Sequence, residues 1–249
     1  MQKKIYIYGK HAVGEALRYK PHIVRTLYLA HKEGDEGLRR LAERAGVKVE
    51  RLDPRKATSQ VERNAPHQGA IALVSLSGLV VPFEQFFDKF SPDADTALVL
   101  LSDVQDPHNV GAVVRSAAAL GAAAVLLPAR AQSPLTGAAV KASAGAALRL
   151  PLVSVGNLQQ ALAHLKKKGV RIYGLRGGSG VSAGEEPFDA PALFVLGNEA
   201  RGIEPAAAAL CDTMLSVPIH PRAESLNVAA AAAAVLFAWS TRHPGALKK

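Results

Sequence analysis

The sequence predicts an α/β protein with a parallel sheet in its larger C-terminal part and a smaller α/β/α unit before it. Short uninterrupted apolar runs, such as residues 97–101 and 192–196, are typical of strands buried on both faces. Helical segments, many of them rich in alanine, alternate with these runs along the chain. That alternation is the pattern of parallel α/β folds.

Composition divides the 249 residues into an N-terminal domain at 1–76, a linker at 77–95 and a C-terminal domain at 96–249. Residues 1–76 hold 15 Lys and Arg against 8 Asp and Glu, whereas the remainder holds 15 against 13. The basic first domain indicates a polyanionic partner. Four of the five tyrosines lie there too, which suits a surface that contacts phosphates and bases. Each tyrosine taken alone is more typical of a core or an edge strand than of an RNA-binding surface.

The first domain alternates strands and helices, which predicts a compact unit of about 75 residues. Gly9 begins the turn into the first helix, and Gly46 ends the second, because glycine readily takes the backbone conformations of helix ends. The predicted elements are strands at 5–8, 24–30, 47–52 and 70–76, and helices at about 10–20, 36–45 and 55–64. The linker, rich in proline and phenylalanine, is predicted to carry a short helix at 83–90.

Residues 96–128 form the segment around which the larger domain is organised. A strand at 97–101 is followed by a polar loop, a helix at 110–120 and a second strand at 123–127. Asn109 is placed to cap the helix. This segment is therefore predicted to be one βαβ unit of a parallel sheet.

Arg115 is the only charged residue on the predicted helix at 110–120. The simple interpretation is an exposed helix face or a salt bridge to Asp103 or Asp106. A functional role for Arg115 requires that other polar side chains lie close to it in the folded protein.

The remaining segments continue the alternation of helix and strand. Ser225 is a natural N-cap for an alanine-rich helix that runs to about residue 240. The glycines of a flexible loop at 176–187 do not fit the spacing of a dinucleotide site. Other predicted elements are helices at 133–147 and 158–168 and strands at 150–155, 170–175, 192–196 and 215–217.

A single cysteine, Cys211, excludes an internal disulfide and any cysteine-only metal cluster, and it fits a reducing cytosol. The longest apolar stretch, 228–239, has 12 residues, fewer than the roughly 20 that span a bilayer. No apolar segment of signal-peptide length occurs near the start. We expect a cytoplasmic protein that needs no metal.

The segment 196–202 (LGNEARG) directly follows a predicted buried strand. Gly197 and Gly202 would let a loop backbone approach a ligand closely, and Glu199 places a carboxylate beside it. Open α/β sheets bind ligands at such strand ends. An ordinary turn with a solvated acid explains the segment equally well on its own.

Three loops taken in order resemble the three motifs of the SpoU/TrmH class of SPOUT RNA ribose 2′-O-methyltransferases. They are 109–116 (NVGAVVRS), 196–202 and 225–230 (SLNVAA). Each motif alone is weak, but the ordered set is specific. The segments 8–17 (YGKHAVGEAL) and 65–73 (APHQGAIAL) further resemble the N-terminal RNA-binding domain of the bacterial 23S rRNA guanosine-2′-O-methyltransferase subfamily.

This resemblance implies a trefoil-knotted SPOUT methyltransferase domain, an N-terminal domain similar to ribosomal protein L30e, and a homodimer. It implies transfer of a methyl group from S-adenosyl-L-methionine to a ribose 2′-OH of RNA, most simply a guanosine of 23S rRNA. RNA, rather than DNA or a membrane, is the implied partner. By position, the matching catalytic residues are Asn109, Arg115, Glu199, Ser225 and Asn227, and the matching cofactor-contacting residues are Gly197, Val217 and Leu226.

The chain departs from the family pattern in two loops. Ala200 stands where the family often has glycine, and Ile219 and Pro221 stand where it has a methionine and then a glycine. Pro221 with Arg222 is expected to alter the path of the third loop. The polar catalytic set is intact, so we expect activity.

The resemblance leaves two roles open for Arg115. As a cation it would hold a phosphate or stabilise the developing alkoxide; as a neutral group it would accept the hydroxyl proton. The cationic role is favoured because a guanidinium stays protonated up to roughly pH 12.

Three alternatives to 23S rRNA methylation remain open in the sequence. One is methylation of another rRNA or tRNA nucleotide. Another is a non-catalytic protein that binds RNA or assists ribosome assembly. A nucleotide-dependent dehydrogenase is disfavoured because no GxGxxG follows a strand.

Overall fold

The computed structural model describes residues 4–30, 35–53, 61, 66–129, 135–178 and 180–248. The described strands form a four-stranded sheet in the N-terminal part of the chain and an eight-stranded sheet in the rest. The first sheet holds β1 (Lys4–Tyr8), β2 (Val24–Leu29), β3 (Lys48–Arg51) and β4 (Ala70–Ser75). The four strands predicted in this region are confirmed, with no end shifted by more than one residue.

The four-stranded sheet has the order β1-β4-β2-β3. Strand β4 lies antiparallel to β1 and β2, and β3 lies parallel to β2. Two helices, α1 (Lys10–Tyr19) and α2 (Glu36–Arg44), contribute buried residues to the same apolar core as this sheet. Both helices are confirmed; the helix predicted at 55–64 lies outside the described residues, apart from Val61.

The eight-stranded sheet is built around β6 (Ala97–Leu101) and β11 (Ala192–Leu196). Every residue of these two strands is buried, as expected for strands covered on both faces. The remaining strands are β5 (Val80–Pro82), β7 (Ala124–Pro128), β8 (Leu152–Val155), β9 (Arg171–Leu175), β10 (Val181–Ser182) and β12 (Thr213–Ser216).

All neighbours in this sheet are parallel, in the order β10-β12-β9-β11-β6-β7-β8-β5. Strands β6 and β11 pair from Ala97 with Ala192 to Leu101 with Leu196. Because the two strands end at the same level, the loops that follow them begin side by side. This register positions the site described below.

Helices cover both faces of the large sheet. They are α3 (Phe83–Phe87), α4 (Pro107–Ala119), α5 (Gly137–Ala142), α6 (Leu158–Lys167), α7 (Pro205–Ala208) and α8 (Val228–Arg242). Val99 and alternate residues of β6 share a core with α4 and α8. Leu98 and Leu100 share a second core with α3 and α6. The predicted α/β class with a parallel sheet is confirmed.

Helix α4 begins earlier than predicted, and Asn109 does not cap it. The N-cap is Asp106, whose carboxylate accepts a hydrogen bond from the backbone N–H of His108 at 2.8 Å. Pro107 occupies the first helical position, where its missing N–H costs nothing. Asn109 therefore lies within the first turn, and its side chain is available for other partners.

Helix α8 also has a different cap from the one predicted. Asn227, not Ser225, caps it: the side-chain oxygen of Asn227 accepts hydrogen bonds from the backbone N–H groups of Ala229 and Ala230. Asn and Ser are equally good caps, so the two positions were hard to separate by residue type. The helix starts at Val228, directly after Asn227.

Short elements account for the other differences from prediction. The segment 77–95 contributes β5 to the edge of the large sheet beside β8, and its helix ends at Phe87 rather than at residue 90. Strand β10 and helix α7 have two and four residues, too few for a periodic pattern. The helix predicted at 133–147 is α5 followed by a 3-10 turn at Ala146–Leu148. Of the described helices, not one has the length and apolar character needed to cross a bilayer.

The packing of α4 against α5 gives a test of this architecture. A Cβ on Gly111 would lie 2.4 Å from the carbonyl oxygen of Ala139 and 2.9 Å from the backbone nitrogen of Ser143. We predict that Gly111→Ala lowers the free energy of unfolding by about 1–3 kcal/mol, because the two helices must separate. Urea denaturation measures this change.

The control for that measurement is Gly37→Ala on α2. A Cβ on Gly37 would meet nothing within 4 Å, so the better helix former should raise stability by up to about 1 kcal/mol. Unchanged stability of Gly111→Ala would contradict the close packing of α4 on α5.

Candidate active site

The site lies at the carboxyl end of the large sheet, where ligands bind in open parallel sheets. The loops after β6 and β11 are joined there by backbone and side-chain bonds. The backbone N–H of Ser102 donates to the carbonyl of Leu196 at 2.7 Å. The side-chain amide of Asn198 donates to the carbonyl of Asp103 at 3.0 Å, and Asp103 takes a positive φ of 66°.

The loop 197–202 is a tight turn that is stabilised by its own atoms. Asn198 and Gly202 exchange backbone hydrogen bonds of 2.9 Å in both directions. The side-chain oxygen of Asn198 also accepts from the backbone N–H groups of Ala200 and Arg201. A Cβ on Gly197 would lie 2.2 Å from the carbonyl carbon of Gly202. Gly197 is thus packed closely against the closing residue of its own turn.

Three of the predicted catalytic residues form a continuous hydrogen-bonded chain. The amide nitrogen of Asn109 donates to Glu199 Oε1 at 2.9 Å, and the amide nitrogen of Asn227 donates to Asn109 Oδ1 at 3.0 Å. These residues come from α4, from the loop after β11 and from the start of α8. The structure therefore brings together groups that are 90 and 118 positions from Asn109 in sequence.

The direction of this chain follows from the helix cap. The oxygen of Asn227 is engaged by the first N–H groups of α8, so its NH₂ group must point to Asn109. Asn109 then accepts through its oxygen and has its own NH₂ group left for Glu199, an acceptor when ionised. The cap therefore orients both amides and presents Asn109 as a donor to the carboxylate.

A cleft of about 440 Å³ opens beside this chain, within the size range of small-molecule sites. The three predicted cofactor-contacting residues, Gly197, Val217 and Leu226, all line it, as do Glu199 and Ser225. Its apolar walls also include Leu196, Leu215 and Ile219. The cleft thus combines apolar walls with polar side chains and with charged side chains of both signs.

The third loop folds into a turn at the departures from the family pattern. The backbone N–H of Arg222 donates to His220 Nδ1 at 3.1 Å, and that of Ala223 donates to the carbonyl of His220 at 3.0 Å. Ile219 lines the cleft, whereas His220 and Pro221 do not belong to its walls. Ile219 thus forms part of the apolar wall of the cleft.

Arg115 and Ser225 do not join the hydrogen-bonded chain within the described residues. Ser225 lies on the cleft wall. Arg115 is exposed on α4 and lines a separate cavity of about 760 Å³. Six residues of helix separate it from Asn109 by about 9 Å along the axis and about a third of a turn around it.

Neither predicted salt bridge of Arg115 forms. Asp103 instead pairs with Arg201 at 2.7 Å, and Asp106 caps α4. The exposed helix face is the interpretation that the structure confirms. Asp103, Asn198 and Arg201 were missed as site residues; an Asn that precedes a glycine-closed turn was the available signal.

The described residues offer little other reactive chemistry. Burial and the neighbouring charge of Asp212 raise the pKa of the Cys211 thiol to about 11, so it is not a nucleophile at neutral pH. No group of three or more His, Cys, Asp or Glu side chains within the described ranges could hold a metal ion.

The fold and the cleft together define an α/β protein with a ligand site at the carboxyl edge of a parallel sheet. The sequence profile of the SpoU rRNA Methylase family matches residues 96–237, and a profile for RNA 2′-O ribose methyltransferase substrate binding matches residues 6–78. The chain belongs to the SpoU rRNA methylase family.

Relatives and solved structures agree with this assignment. The chain is 32% identical over 241 residues to the 23S rRNA (guanosine-2′-O-)-methyltransferase RlmB of Shewanella oneidensis, covering 95% of this chain and 97% of that protein. Identity to the Xanthomonas axonopodis protein of the same name is 35%, with 93% and 94% covered. A TrmH-family protein from Porphyromonas gingivalis superposes with a TM-score of 0.73 at 28% identity, covering 96% and 90%.

A second structural neighbour supports the fold alone. The SpoU methyltransferase AviRb from Streptomyces viridochromogenes, solved in complex with AdoMet, gives a TM-score of 0.83 at 24% identity. The match covers 97% of this chain and 91% of that one.

The cap of α8 gives a test of the site geometry. We predict that Asn227→Ala lowers the free energy of unfolding by about 1 kcal/mol, because α8 loses its capping acceptor. The matched control is Ser225→Ala, which should stay within about 0.5 kcal/mol of wild type because Ser225 is exposed and caps nothing. Thermal denaturation measures both, and the reverse ranking would assign the cap to Ser225.

Proposed function

We propose that this protein transfers a methyl group from S-adenosyl-L-methionine to the ribose 2′-OH of a guanosine in 23S rRNA. The observation that carries the proposal is the chain from Asn227 through Asn109 to Glu199 at the mouth of the cleft. It joins the three loops whose motifs define the family. Relatives that cover nearly the whole chain are named for this reaction.

The cleft suits the proposed cofactor in size and in chemistry. Val217, Ile219 and Leu226 offer apolar contact to an adenine ring, and loop 197–202 offers backbone polar groups beside them. Glu199, exposed at the rim, supplies a negative charge that suits a cationic sulfonium. The bound cofactor would supply an electrophilic methyl group, so no metal is needed.

The polar chain would act by fixing the position of Glu199. Asn109 holds Oε1 of that carboxylate, and Asn227 holds Asn109 from the rigid start of α8. A carboxylate held in this way can accept a hydrogen bond from a ribose hydroxyl without reorganising, which is the main contribution of preorganised polar groups to catalysis. Ser225, at the cleft wall, would contribute a hydroxyl that also helps to orient the ribose by hydrogen bonding.

Arg115 would supply positive charge to the reaction as a cation. A guanidinium is a poor base and a good bidentate partner for phosphate. We assign Arg115 to holding the phosphate of the target nucleotide or to stabilising the developing alkoxide. Arg115 lines a different cavity from the cleft within one chain, and we infer that it acts at the cleft of a second copy.

A homodimer would bring Arg115 to the cleft of the other copy. Ala230, Ala233, Ala234 and Phe237 lie at i, i+3, i+4 and i+7 on α8, which places them on one face. Phe237 is 62% exposed. Ala230 is also exposed and Ala233 and Ala234 are half-buried, so this face of α8 offers an apolar surface for association.

Three features complete the proposal. The division at 1–76, 77–95 and 96–249 follows the two sheets and the two family profiles, although β5 ties the linker to the larger unit. A trefoil knot in the larger domain and an L30e-like first domain are in keeping with family membership. We place the protein in the cytoplasm, where rRNA substrates are made.

Mapping of ribose methylation tests the function directly. Purified protein, incubated with S-adenosyl-L-methionine and unmodified 23S rRNA, should methylate one guanosine at its 2′-OH. Glu199→Gln should lower turnover at least tenfold with a smaller effect on cofactor affinity. Methylation of tRNA alone would redirect the substrate assignment, and no transfer to any RNA would overturn the proposal.

Hybrid dimers test the shared site. Arg115→Ala and Glu199→Gln homodimers should each be nearly inactive. A hybrid purified through a different tag on each variant should recover about half of wild-type turnover, because one of its two sites has both native residues. Inactive hybrids would show that Arg115 and Glu199 must belong to the same chain.

A further inference from the structure

The N-terminal unit is joined to the large sheet through a buried carboxylate on α1. Glu15 is buried, and its two oxygens lie 3.3 Å from Arg18 Nη1 and 3.2 Å from Arg149 Nε. Arg149 follows the 3-10 turn at Ala146–Leu148. Among the ion pairs of the described residues, Glu15–Arg149 is the one that crosses between the two units.

Close backbone contacts fix the two units around this ion pair. A Cβ on Gly145 would lie 2.7 Å from Glu15 Cγ, and one on Gly137 would lie 2.1 Å from the carbonyl oxygen of Tyr6. His11 Nε2 lies 3.1 Å from the carbonyl oxygen of Ala144. The orientation of α1 relative to the large sheet is therefore defined at the level of the backbone.

On the exposed side of this junction, the guanidinium of Arg149 covers the aromatic ring of Tyr19. Arg149 lies over the ring of Tyr19, 5.5 Å from its centroid, and Tyr19 is 54% exposed. The side chains of Arg18 and Arg149 are 53% and 50% exposed. With two guanidinium groups against one carboxylate, the cluster has a net positive charge.

Arg149 also lines the cavity of about 760 Å³ that contains Arg115. Two carboxylates line the same cavity, and each has a partner of its own: Asp93 accepts from the hydroxyl of Thr96 at 2.7 Å, and Asp95 lies 2.9 Å from His243 Nδ1. The two arginines thus lie on one concave surface that runs from the junction to α4, together with these two hydrogen-bonded carboxylates.

We propose that Arg18, Tyr19 and Arg149 form a binding surface for a single-stranded segment of the RNA substrate. The inference rests on the proposed function. The Tyr19 ring would stack on a base, and the two guanidinium groups would contact phosphates, which is how single strands are bound without base-pair readout. Glu15 is a positioning residue, because it holds both arginines without facing the RNA.

The test is RNA binding by the full-length protein at several KCl concentrations. The probe is a fluorescent 23S rRNA fragment that contains the methylated guanosine. Tyr19→Ala should weaken binding about tenfold with little change in salt dependence, and Tyr19→Phe should restore it, since stacking needs only the ring. Arg149→Gln should weaken binding and reduce the slope of log affinity against log salt by about 0.7.

The matched control is Lys167→Gln, which removes one exposed positive charge. Helix α6 packs in the second core, on the other face of the large sheet from the junction, so this variant should leave affinity within about twofold. If Tyr19→Ala and Arg149→Gln bind with the affinity and salt slope of wild type, the surface is not used by RNA. A wild-type protein that binds the probe but transfers no methyl group overturns the proposed function only. The proposed RNA-binding surface is tested by RNA affinity alone, and the proposed function is tested by methyl transfer.

Discussion

The structure depends on the parallel pairing of β6 with β11 at the centre of the large sheet. These strands are separated by about ninety residues of chain, yet they pair from Ala97 with Ala192 to Leu101 with Leu196. Their common end point places the loop that carries Asp103 against the loop that carries Asn198. A shift of two residues in this register would move the loops apart by about 7 Å, and Asn109 would no longer reach Glu199.

Much of the fold was predictable because buried parallel strands have a strong local signal. Residues 97–101 and 192–196 were predicted with the observed bounds, since an unbroken apolar run ends where the strand leaves the core. The two-residue strand β10 and the three-residue strand β5 could not be predicted, because pairing with neighbouring strands, rather than local sequence, makes them strands.

Three of the predicted site residues lie together in the structure, but their geometry was not predictable from the sequence. The motifs identified Asn109, Glu199 and Asn227, which the structure joins by hydrogen bonds. They could not show that Asp106 and Asn227, rather than Asn109 and Ser225, cap the helices, since Asp, Asn and Ser are all good caps. Nor could a sequence show that Arg115 faces a different cavity, because this depends on which side of α4 packs against α5.

Asn227 has two tasks that cannot be separated. The same amide stabilises the first turn of α8 through its oxygen and orients Asn109 through its nitrogen. Fraying of that turn would release the Asn227 amide and, with it, the Glu199 carboxylate, which lies two hydrogen bonds away. Order in this hydrogen-bonded chain is therefore linked to local melting of one helix end, and its arrangement can be lost with rising temperature before the protein as a whole unfolds.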